Sequence, residues 1–504
     1  MITPDQEDGY PIPHFSEFDK LSQHEQNEIM VLKSGNTPEA TIERLLCRVF
    51  LYAIKTRSAD VHITATGDSL SPKVQLSVKT PGGLLNFPYL GPAGKHFRDK
   101  MFQLCNTANG GTTPPLIATR FDMTLPESFA RGLGLQPIEG TPYQVDMRVQ
   151  YNRTFRGFSF ITRLLDQQTA PKLEEFRLTQ ALLGEIKKAL NQQAGLFLVT
   201  GPTGSGKSTF LKACLDYLNN GKRVIYTVED PVEYTISGEA PIHQIQVSGE
   251  VKFSDALRAG LRSAPDVIFI GEIRDEETML IAMQAAQTGH FVLATLHANT
   301  GILTVSRALD LLNNKAQDAP RLATTLKFVV ATRLLNMYEG STVKRELTYA
   351  EASWLKNNGI PATLYVNEVT GVKNGKKVSV MEAFYVDSEM QDRIASPEFR
   401  SEDIYNIAKE QIQYESLPMA GARMVDEGYC ILDECSTMLE GDRSAQHSLS
   451  MRALMAKTMG ISLGDVSKTL DAFYLARQAG GTPHLEDFVK GLNHDMPVFE
   501  MEKK

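Results

Sequence analysis

The sequence has few of the residues that mark a secreted or metal-binding protein. Its 504 residues include 5 cysteines and 1 tryptophan. The cysteines are odd in number, scattered and without a CxxC pair, which is typical of reduced thiols in a cytosolic protein. They are Cys47, Cys105, Cys214, Cys430 and Cys435. Although the last two lie close together in sequence, no second pair lies nearby to complete a zinc site.

Long apolar runs and an excess of positive charge are also missing. No run approaches the roughly 18 apolar residues that a membrane span needs. The opening residues MITPDQEDGYPIP are polar and acidic, unlike a signal peptide. We therefore expect a cytoplasmic protein that a partner would recruit to any membrane. The net charge of −8 argues weakly against broad nucleic-acid binding, which needs a positive surface.

What the sequence does contain is a glycine-rich loop at its centre. Residues 197–209 read FLVTGPTGSGKST, an apolar strand followed by a complete G-x-x-x-x-G-K-[ST] match. The glycines let backbone N–H groups form an anion cradle with the next helix. Lys207 would reach the β- and γ-phosphates, and Ser208 would hold Mg²⁺. The predicted nucleotide-binding residues here are Gly201, Pro202, Thr203, Gly204, Ser205, Gly206, Lys207, Ser208 and Thr209.

Two acidic segments follow, each at the end of a predicted strand. In VEDPVEY (228–234), Glu229 could hold Mg²⁺ through water or polarise the attacking water; alternatively, its carboxylates only begin a loop. In DVIFIGEIRD (266–275), Glu272 could take the same roles. Arg274 and Asp275 could form a structural pair.

Two histidines bracket the strand in TGHFVLATLHANT (288–300). Their seven-residue separation places His290 and His297 at opposite ends of the strand, which makes a poor metal pair. His297 could read the γ-phosphate from a neighbouring strand end, and the alternative for each histidine is an ordinary core position.

The remaining pattern predicts an α/β chain of more than one domain, because 504 residues are too many for one core. We expect a loosely ordered leader at 1–40 with a short helix at 25–32. A small α/β domain with an antiparallel sheet should cover 41–166, and a linker 167–172. In 173–440, strands and helices alternate, which predicts a mainly parallel sheet. Predicted helices there include 302–312 and 321–337. A helical appendix, with two helices within 451–472, should cover 441–504.

The order and spacing of GPTGSGKST, VEDPVEY, LRSAPDVIFIGEIRDEET and TGHFVLATLHANT resemble the type II secretion and type IV pilus ATPase family. That family names these motifs Walker A, Asp box, Walker B and His box. The resemblance is specific over about 195–310 and looser on both sides, where SADVHI, VDMRV and ITRLLD look like parts of the small domain before the motor. It implies a RecA-like P-loop motor domain in 173–440 that binds ATP and Mg²⁺.

The resemblance also assigns roles to arginines. In the family, arginines on the last strands of the small domain reach nucleotide bound in a motor domain, and Arg148 and Arg163 match them best. The alternative for these arginines is a salt bridge within the small domain. Arg153 and Arg156 lie on the connecting turn. Arg258 and Arg262 match arginines near the γ-phosphate. With Lys207, Glu229 and Glu272, Arg148 and Arg163 complete the predicted catalytic set, and the sequence does not decide which glutamate is the base.

The family match implies a homohexamer that powers type IV pilus assembly, or related type II secretion, through an inner-membrane platform protein. Such a motor would be peripheral at the inner face of the bacterial inner membrane. A zinc insertion usual in assembly members has no cysteines here at about 335–380, so no zinc is expected. Retraction and Dot-type motors share this feature. We favour an assembly motor of the type IVb or conjugative-plasmid kind. A nucleic-acid translocase and a nucleotide-gated scaffold are the other functions considered.

Overall fold

The chain divides into two compact units, which are described separately. One spans Met1–Ala170 with Glu233–Thr235, and the other Pro171–Val232 with Ile236–Lys504. The structure is a computed structural model. It describes residues 18, 21–30, 37–58, 60–66, 73–80, 83–87, 94–106, 116–135, 137, 142–166, 171–230, 232–234, 236, 241–247, 251–360, 365–439, 466–469, 471, 472 and 475.

The first unit is built on an antiparallel sheet. Among the described residues the sheet has six strands in the order β3-β2-β1-β6-β5-β4, and the antiparallel arrangement predicted for this region is confirmed. The strands are β1 (Asp60–Thr66), β2 (Lys73–Thr80), β3 (Gly83–Asn86), β4 (Leu116–Leu125), β5 (Tyr143–Thr154) and β6 (Gly157–Asp166). The helices are α1 (Gln23–Ile29), α2 (Pro38–Lys55), α3 (Gly94–Leu104) and α4 (Glu127–Gly132).

Alternating residues give this sheet one apolar and one polar face. On β5, Tyr143, Val145 and Met147 are buried in the core of the unit. The intervening positions of the same strand carry polar side chains, including Gln144 and Arg148. One face of the sheet therefore packs on the apolar core of the unit, while the other presents polar side chains.

The second unit contains a sheet that is parallel except at one edge. Its seven strands, counted over the part of the chain described, have the order β13-β12-β7-β11-β10-β8-β9. Only the pairing of β12 with β13 is antiparallel. The strands are β7 (Gly195–Thr200), β8 (Ile225–Glu229), β9 (Ile242–Gln246), β10 (Val267–Ile270), β11 (Phe291–Leu296), β12 (Leu326–Glu346) and β13 (Tyr365–Tyr385).

Helices pack on this sheet, and two apolar clusters lie around it. The strands β7, β10 and β11 are buried along their whole length, which explains why they read as continuous apolar runs. The helices are α5 (Gln180–Leu190), α6 (Lys207–Leu218), α7 (Phe253–Leu261), α8 (Glu276–Gln287), α9 (Gly301–Asp310), α10 (Lys315–Thr325), α11 (Tyr349–Asn357), α12 (Ser388–Ala395), α13 (Ser401–Ala408), α14 (Leu417–Asp426) and α15 (Leu432–Met438).

The helix predicted at 321–337 is wrong. The helix α10 ends at Thr325, and the long strand β12 begins at Leu326. This strand pairs in parallel with β7 and antiparallel with β13, and the Phe328 ring stacks on the Phe197 ring at 5.1 Å. A fully buried run contains apolar residues at every spacing, so helical spacing alone could not separate a buried strand from a helix.

Residues 335–346 and 365–380 form the distal part of the β12–β13 hairpin, and α11 lies between the two strands in sequence. A cluster of ion pairs joins α11 to the hairpin. The Arg345 guanidinium donates to Glu351 and to Glu368. The buried Glu351 also accepts from Thr348 at the start of α11, in a capping box. Hydrogen bonds from Arg345 lower the pKa of Glu351 to about 2.

Few residues of the predicted leader and appendix are described. The helix expected at 25–32 is confirmed in part by α1, while residues 1–17 and 31–36 and most of 441–504 lie outside the described residues. Near the C-terminus, Val466 is buried in the cluster of α14 and α15. The Ser467 hydroxyl donates to Glu415 at 3.3 Å, and the Asp471 carboxylate accepts from the Ala181 N–H at 3.2 Å. These contacts attach the segment to the second unit.

All five cysteines lie within the described residues and are buried with free thiols. Burial raises the pKa of Cys105 to about 11 and that of Cys430 to about 12. Among the described helices, none is both long and apolar enough to cross a membrane.

We expect Glu351→Gln to lower the free energy of unfolding at pH 7 by about 2 kcal/mol, because it leaves the Arg345 cation without its buried carboxylate. The folded-state pKa of Glu351 lies below the ordinary value of 4.5. This stabilisation is therefore present above about pH 4.5 and is lost as the pH falls towards 2. Urea unfolding of both proteins at pH 7 and pH 3 measures the difference.

The matched control is Glu346→Gln, an exposed carboxylate at the end of the same strand, which should change the unfolding midpoint little. An equal effect of the two substitutions at pH 7 would contradict a specific role for the Arg345 cluster.

Candidate nucleotide-binding site

The glycine-rich loop connects β7 to α6 and curls into a cradle. Gly201, Gly204 and Gly206 adopt φ angles of +148°, +79° and +91°, a region that side chains disfavour. A Cβ atom on Gly201 would lie 2.3 Å from the Ser205 hydroxyl oxygen and 2.7 Å from the Thr332 carbonyl oxygen. Because α6 begins at Lys207, its N-terminal N–H groups are directed at the end of this loop.

The Lys207 side chain contacts the backbone of the loop. Its Nζ donates to the carbonyl oxygens of Gly201 and Pro202, at 2.7 and 3.1 Å. An ammonium group, helix N–H groups and a tightly curled backbone are the donors that phosphate groups need. Ser208, in the first turn of α6, is half-buried, and its hydroxyl is the kind of ligand that Mg²⁺ takes in such loops. The residues present therefore fit a nucleotide with its metal.

Hydrogen bonds made by the hydroxyl groups of Thr200, Ser205 and Thr332 hold the loop to the neighbouring strands. The Thr200 hydroxyl donates to the Leu296 carbonyl oxygen at 3.0 Å and accepts from the Ala298 N–H at 2.8 Å. The hydroxyls of Ser205 and Thr332 lie 3.1 Å apart, and both residues are buried. Sequence reasoning missed Thr332, since it lies inside the segment wrongly predicted as helix.

The acidic residues and His297 follow strands that lie side by side. In the sheet, β7, β11, β10 and β8 are consecutive neighbours and run in parallel, so their carboxyl ends share one edge. Glu229 ends β8, Glu272 follows β10 and His297 follows β11. The Gly271 N–H donates to the Val228 carbonyl oxygen at 2.8 Å, which joins two of these strand ends.

Two side chains, those of Arg274 and His297, contact the carboxylate of Glu272. Its Oε2 accepts from the Arg274 Nε at 2.8 Å, and its Oε1 lies 3.0 Å from the His297 Nε2. The guanidinium of Arg274 also lies 3.5 Å from an oxygen of Asp230. The Glu272 carboxylate raises the pKa of Arg274. The hypothesis that placed His297 in the core is wrong, because half of its side chain is exposed at this edge.

The suggested pairing of Arg274 with Asp275 is wrong. Arg274 pairs with Glu272 and Asp230, whereas Asp275 caps α8 by accepting from the Thr278 N–H at 2.8 Å. Spacing alone did not show that Asp275 precedes a helix as its N-cap. The sequence signal that could have shown it is the carboxylate placed just before an amphipathic run.

Glu229 has a different environment from Glu272. It is buried, and its Oε1 accepts from the Thr227 hydroxyl at 2.8 Å and from the Gln244 amide at 3.2 Å. These two recorded donors are neutral, whereas those of Glu272 include a guanidinium. Thr227 and Gln244 carry no motif, and sequence reasoning missed both.

Arg258 and Arg262 lie at the end of α7, and His290 lies at the end of α8. The Arg258 guanidinium pairs with Glu277 at 2.7 Å and with Asp255 at 3.5 Å, and Arg262 is exposed. The His290 Nδ1 lies 3.0 Å from the Ala285 carbonyl oxygen. His290 therefore sits at the strand end opposite to His297, as its spacing predicted.

Arg148 and Arg163 are direct cross-strand neighbours in the first unit. The Arg163 Nε donates to the Asp60 carboxylate at 3.0 Å. The Arg148 Nε lies 3.9 Å from the Asp146 carboxylate, and burial lowers the pKa of Arg148. Arg153 and Arg156 are exposed at the turn that follows.

We expect Thr332→Val to weaken binding of a fluorescent ATP analogue about 5-fold. The substitution keeps the shape of the side chain but leaves the buried Ser205 hydroxyl without this partner, at a cost of about 1 kcal/mol to the loop conformation. A titration followed by fluorescence measures the affinity. The exposed Thr324, whose hydroxyl donates only to its own helix, gives the control Thr324→Val. Equal affinities in the two variants would show that this hydrogen bond does not position the loop.

Comparison with known proteins identifies similar sequences. The sequence profile of the type II/IV secretion system proteins matches residues 138–437, which is more than half of the chain. The type II secretion system protein E of Xanthomonas campestris is 34% identical over 313 residues, covering 61% of this chain and 50% of the relative. The chain thus spans half the length of that relative.

Solved structures share the fold. The ATPase DotB of Legionella pneumophila matches with a TM-score of 0.57 and 19% identity, over 81% of this chain and 97% of DotB. The pilus retraction motor PilT, solved with bound ADP, matches with a TM-score of 0.55 and 24% identity, over 77% of this chain and 94% of PilT. The predicted RecA-like α/β fold, with a smaller N-terminal domain, is confirmed. With the profile match across 138–437, this chain belongs to the family of type II/IV secretion system proteins.

Proposed function

We propose that this chain hydrolyses ATP and uses the energy to drive a secretion or pilus machine. One observation carries the proposal. The phosphate loop, His297 and Glu272 follow three neighbouring parallel strands, and Glu229 ends the fourth, all at one edge of the sheet. Ligands in such sheets bind outside the carboxyl ends of the strands.

In the proposed reaction, water attacks the γ-phosphate in line with the leaving oxygen. Lys207 and the N–H groups of the loop would bind the phosphates and offset the charge that develops on them. The Ser208 hydroxyl would hold Mg²⁺, with Glu229 and Glu272 contributing through water. When bound, the metal would neutralise phosphate charge.

The contacts of the two glutamates support different roles. Both oxygens of Glu272 are already in contact with nitrogen atoms, Oε2 with the Arg274 Nε and Oε1 with the His297 Nε2. The Thr227 hydroxyl and the Gln244 amide both donate to one oxygen of Glu229, Oε1, and thereby orient its carboxylate. We therefore assign Glu229 to orient and deprotonate water, and Glu272 to position metal-bound water and the His297 side chain.

At the level of the machine, we propose a homohexamer that acts on an inner-membrane platform protein from the cytoplasmic side. Arg148 and Arg163 would reach nucleotide held by another copy, and Arg258 and Arg262 would lie near its γ-phosphate. Type IV pilus assembly or type II secretion is the favoured role, and the relative named type II secretion system protein E supports the secretion branch. Retraction and Dot-type secretion are the alternatives. No observation favours a nucleic-acid translocase.

We expect Lys207→Ala to reduce ATP turnover at least about 100-fold, because the phosphates lose their ammonium donor. Steady-state phosphate release measures the rate. The control is Lys187→Ala, since Lys187 is a surface lysine of the same unit that pairs with Glu174. Normal turnover by the Lys207 variant would exclude the phosphate-loop mechanism.

We expect Glu229→Gln to reduce turnover about 100-fold while retaining ATP binding, in line with the loss of a general base. Glu272→Gln should cost about 10-fold, since an amide oxygen can still accept from Arg274. Turnover rates and nucleotide affinities of both variants test the assignment. A larger loss in Glu272→Gln than in Glu229→Gln would reverse the two roles.

The machine-level proposal is tested by the ATPase rate against protein concentration, with and without the cytoplasmic part of a candidate platform protein. Activity that rises cooperatively and increases with the platform protein is expected. DNA is the control polymer. Stimulation by DNA alone would instead indicate a translocase, and tight ATP binding without turnover would indicate a nucleotide-gated scaffold.

A further inference from the structure

A buried carboxylate on β13 contacts the helix that begins just after His297. Glu382 is 2% exposed. Its Oε2 accepts from the N–H of Gly301, the first residue of α9, at 2.8 Å. Its Oε1 accepts from the Tyr414 hydroxyl at 2.7 Å. A carboxylate at the N-terminus of a helix is stabilised by the terminal N–H groups and by the helix dipole. Glu382 therefore fixes the position at which α9 starts.

The register of the sheet brings Glu382 to the edge that carries the candidate nucleotide site. Ala331 of β12 is the cross-strand partner of both Glu382 on β13 and Thr200 on β7. Thr200 is the last residue of β7, and the glycine-rich loop follows it. A residue far along the chain from the four motifs thus lies level with the strand end that leads into the phosphate loop.

The start of α9 packs closely against β13. A Cβ atom on the buried Gly301 would lie 3.0 Å from a ring carbon of Phe384 and 3.5 Å from the carboxyl carbon of Glu382. Because interiors are close-packed, a larger residue at this position would displace the helix or the strand. The glycine therefore allows the backbone of α9 to approach the carboxylate within hydrogen-bond distance.

Two further contacts anchor the short loop 297–300, which joins β11 to α9. The Ala298 N–H donates to the Thr200 hydroxyl at 2.8 Å. The Arg333 guanidinium donates to the Asn299 carbonyl oxygen at 2.5 Å. These contacts hold the middle of the loop, and the bond from the start of α9 to β13 holds its end. The position of the histidine that begins the loop therefore depends on the anchors that follow it.

We propose that Glu382 is a positioning residue for ATP hydrolysis, because by fixing the start of α9 it keeps His297 in place beside Glu272. The inference rests on the proposed function and assigns a role in it to a residue outside the four motifs. The His297 Nε2 lies 3.0 Å from the Glu272 Oε1, so a shift of the loop by about 1 Å would break this contact. Displacements of that size can lower a reaction rate by about 100-fold.

The Tyr414 hydroxyl gives the carboxylate a second anchor. Tyr414 is 1% exposed, and its ring centroid lies 6.5 Å from that of Phe384 and 6.3 Å from that of Tyr405 on α13. Aromatic packing at these distances holds the hydroxyl in place. Glu382 thus joins the start of α9 to the segment that follows α13, and loss of one donor should disturb the loop less than loss of the carboxylate.

The test compares Glu382→Gln with the wild-type full chain in steady-state ATP turnover. We expect kcat to fall about 10-fold with little change in KM, because the phosphate loop keeps its contacts while the loop of His297 loses its anchor. The glutamine side chain has one oxygen acceptor for the two donors that the carboxylate serves. Tyr414→Phe leaves the bond to Gly301 intact and should lower kcat only about 3-fold.

A double-mutant cycle separates positioning from a general loss of structure. If Glu382 acts through His297, Glu382→Gln should slow the His297→Ala variant less than about 2-fold. Equal losses in the wild-type and His297→Ala backgrounds would overturn the inference, and so would a wild-type kcat in His297→Ala.

Amide hydrogen exchange gives a readout that does not depend on activity. Exchange across 297–304 should be faster in Glu382→Gln than in the wild type, because the N–H at the start of α9 loses its charged acceptor. Exchange across the phosphate loop at 201–206 should stay the same. Unchanged exchange across 297–304 would overturn the inference.

The matched control is Glu415→Gln, which removes another buried carboxylate of the same unit, one that pairs with Arg423 at 3.1 Å. Its unfolding temperature should fall while its kcat stays the same. An equal fall of kcat in both glutamine variants would assign Glu382 a structural role only and overturn the inference. When Lys207→Ala is inactive, a wild-type kcat in Glu382→Gln rejects this inference alone. Full turnover in Lys207→Ala would reject the proposed function itself.

Discussion

The parallel pairing of four buried strands is the constraint on which the candidate site depends. The strands β7, β11, β10 and β8 each donate and accept backbone hydrogen bonds with their neighbours, and their side chains fill the core on both faces. Parallel pairing forces every carboxyl end to the same edge. The pairing of the strands therefore brings polar residues that are far apart in sequence, from Lys207 to His297, to this edge. The same strand pairing thus stabilises the apolar core and positions the polar residues at the edge.

The sequence predicted those parts of the fold and the site whose residues lie close together in the chain. The phosphate loop was predictable because its glycines, lysine and serine lie within nine residues and their chemistry needs that spacing. The ends of β10 and β11 were predictable because an apolar run stops abruptly at Glu272 and His297. The partners of these residues were not predictable. Thr332, Thr227 and Gln244 carry no motif and reach the site through strand order, which periodicity does not encode. The helix expected at 321–337 failed for the same reason, since burial on both faces of β12 removed the alternation that identifies a strand.

The charged residues at the edge of the parallel sheet and those on the polar face of the antiparallel sheet have different neighbours. At the edge of the parallel sheet, Arg274 and His297 both contact the carboxylate of Glu272. On the antiparallel sheet, three arginines are cross-strand neighbours, with Asp60 beside Arg163 and Asp146 beside Arg148. Opposite charges thus meet at the edge of the parallel sheet, whereas like charges are cross-strand neighbours on the antiparallel sheet.

The burial of every cysteine has a practical consequence. Thiol reagents attack the thiolate, and the raised pKa values of Cys105 and Cys430 leave almost none of it at neutral pH. A maleimide dye added to the folded protein would therefore react chiefly with a cysteine introduced on the surface, and the native cysteines need not be replaced. Two such positions, one in each unit, would allow energy transfer between fluorophores to follow the distance between the units during ATP turnover, in an otherwise unaltered chain.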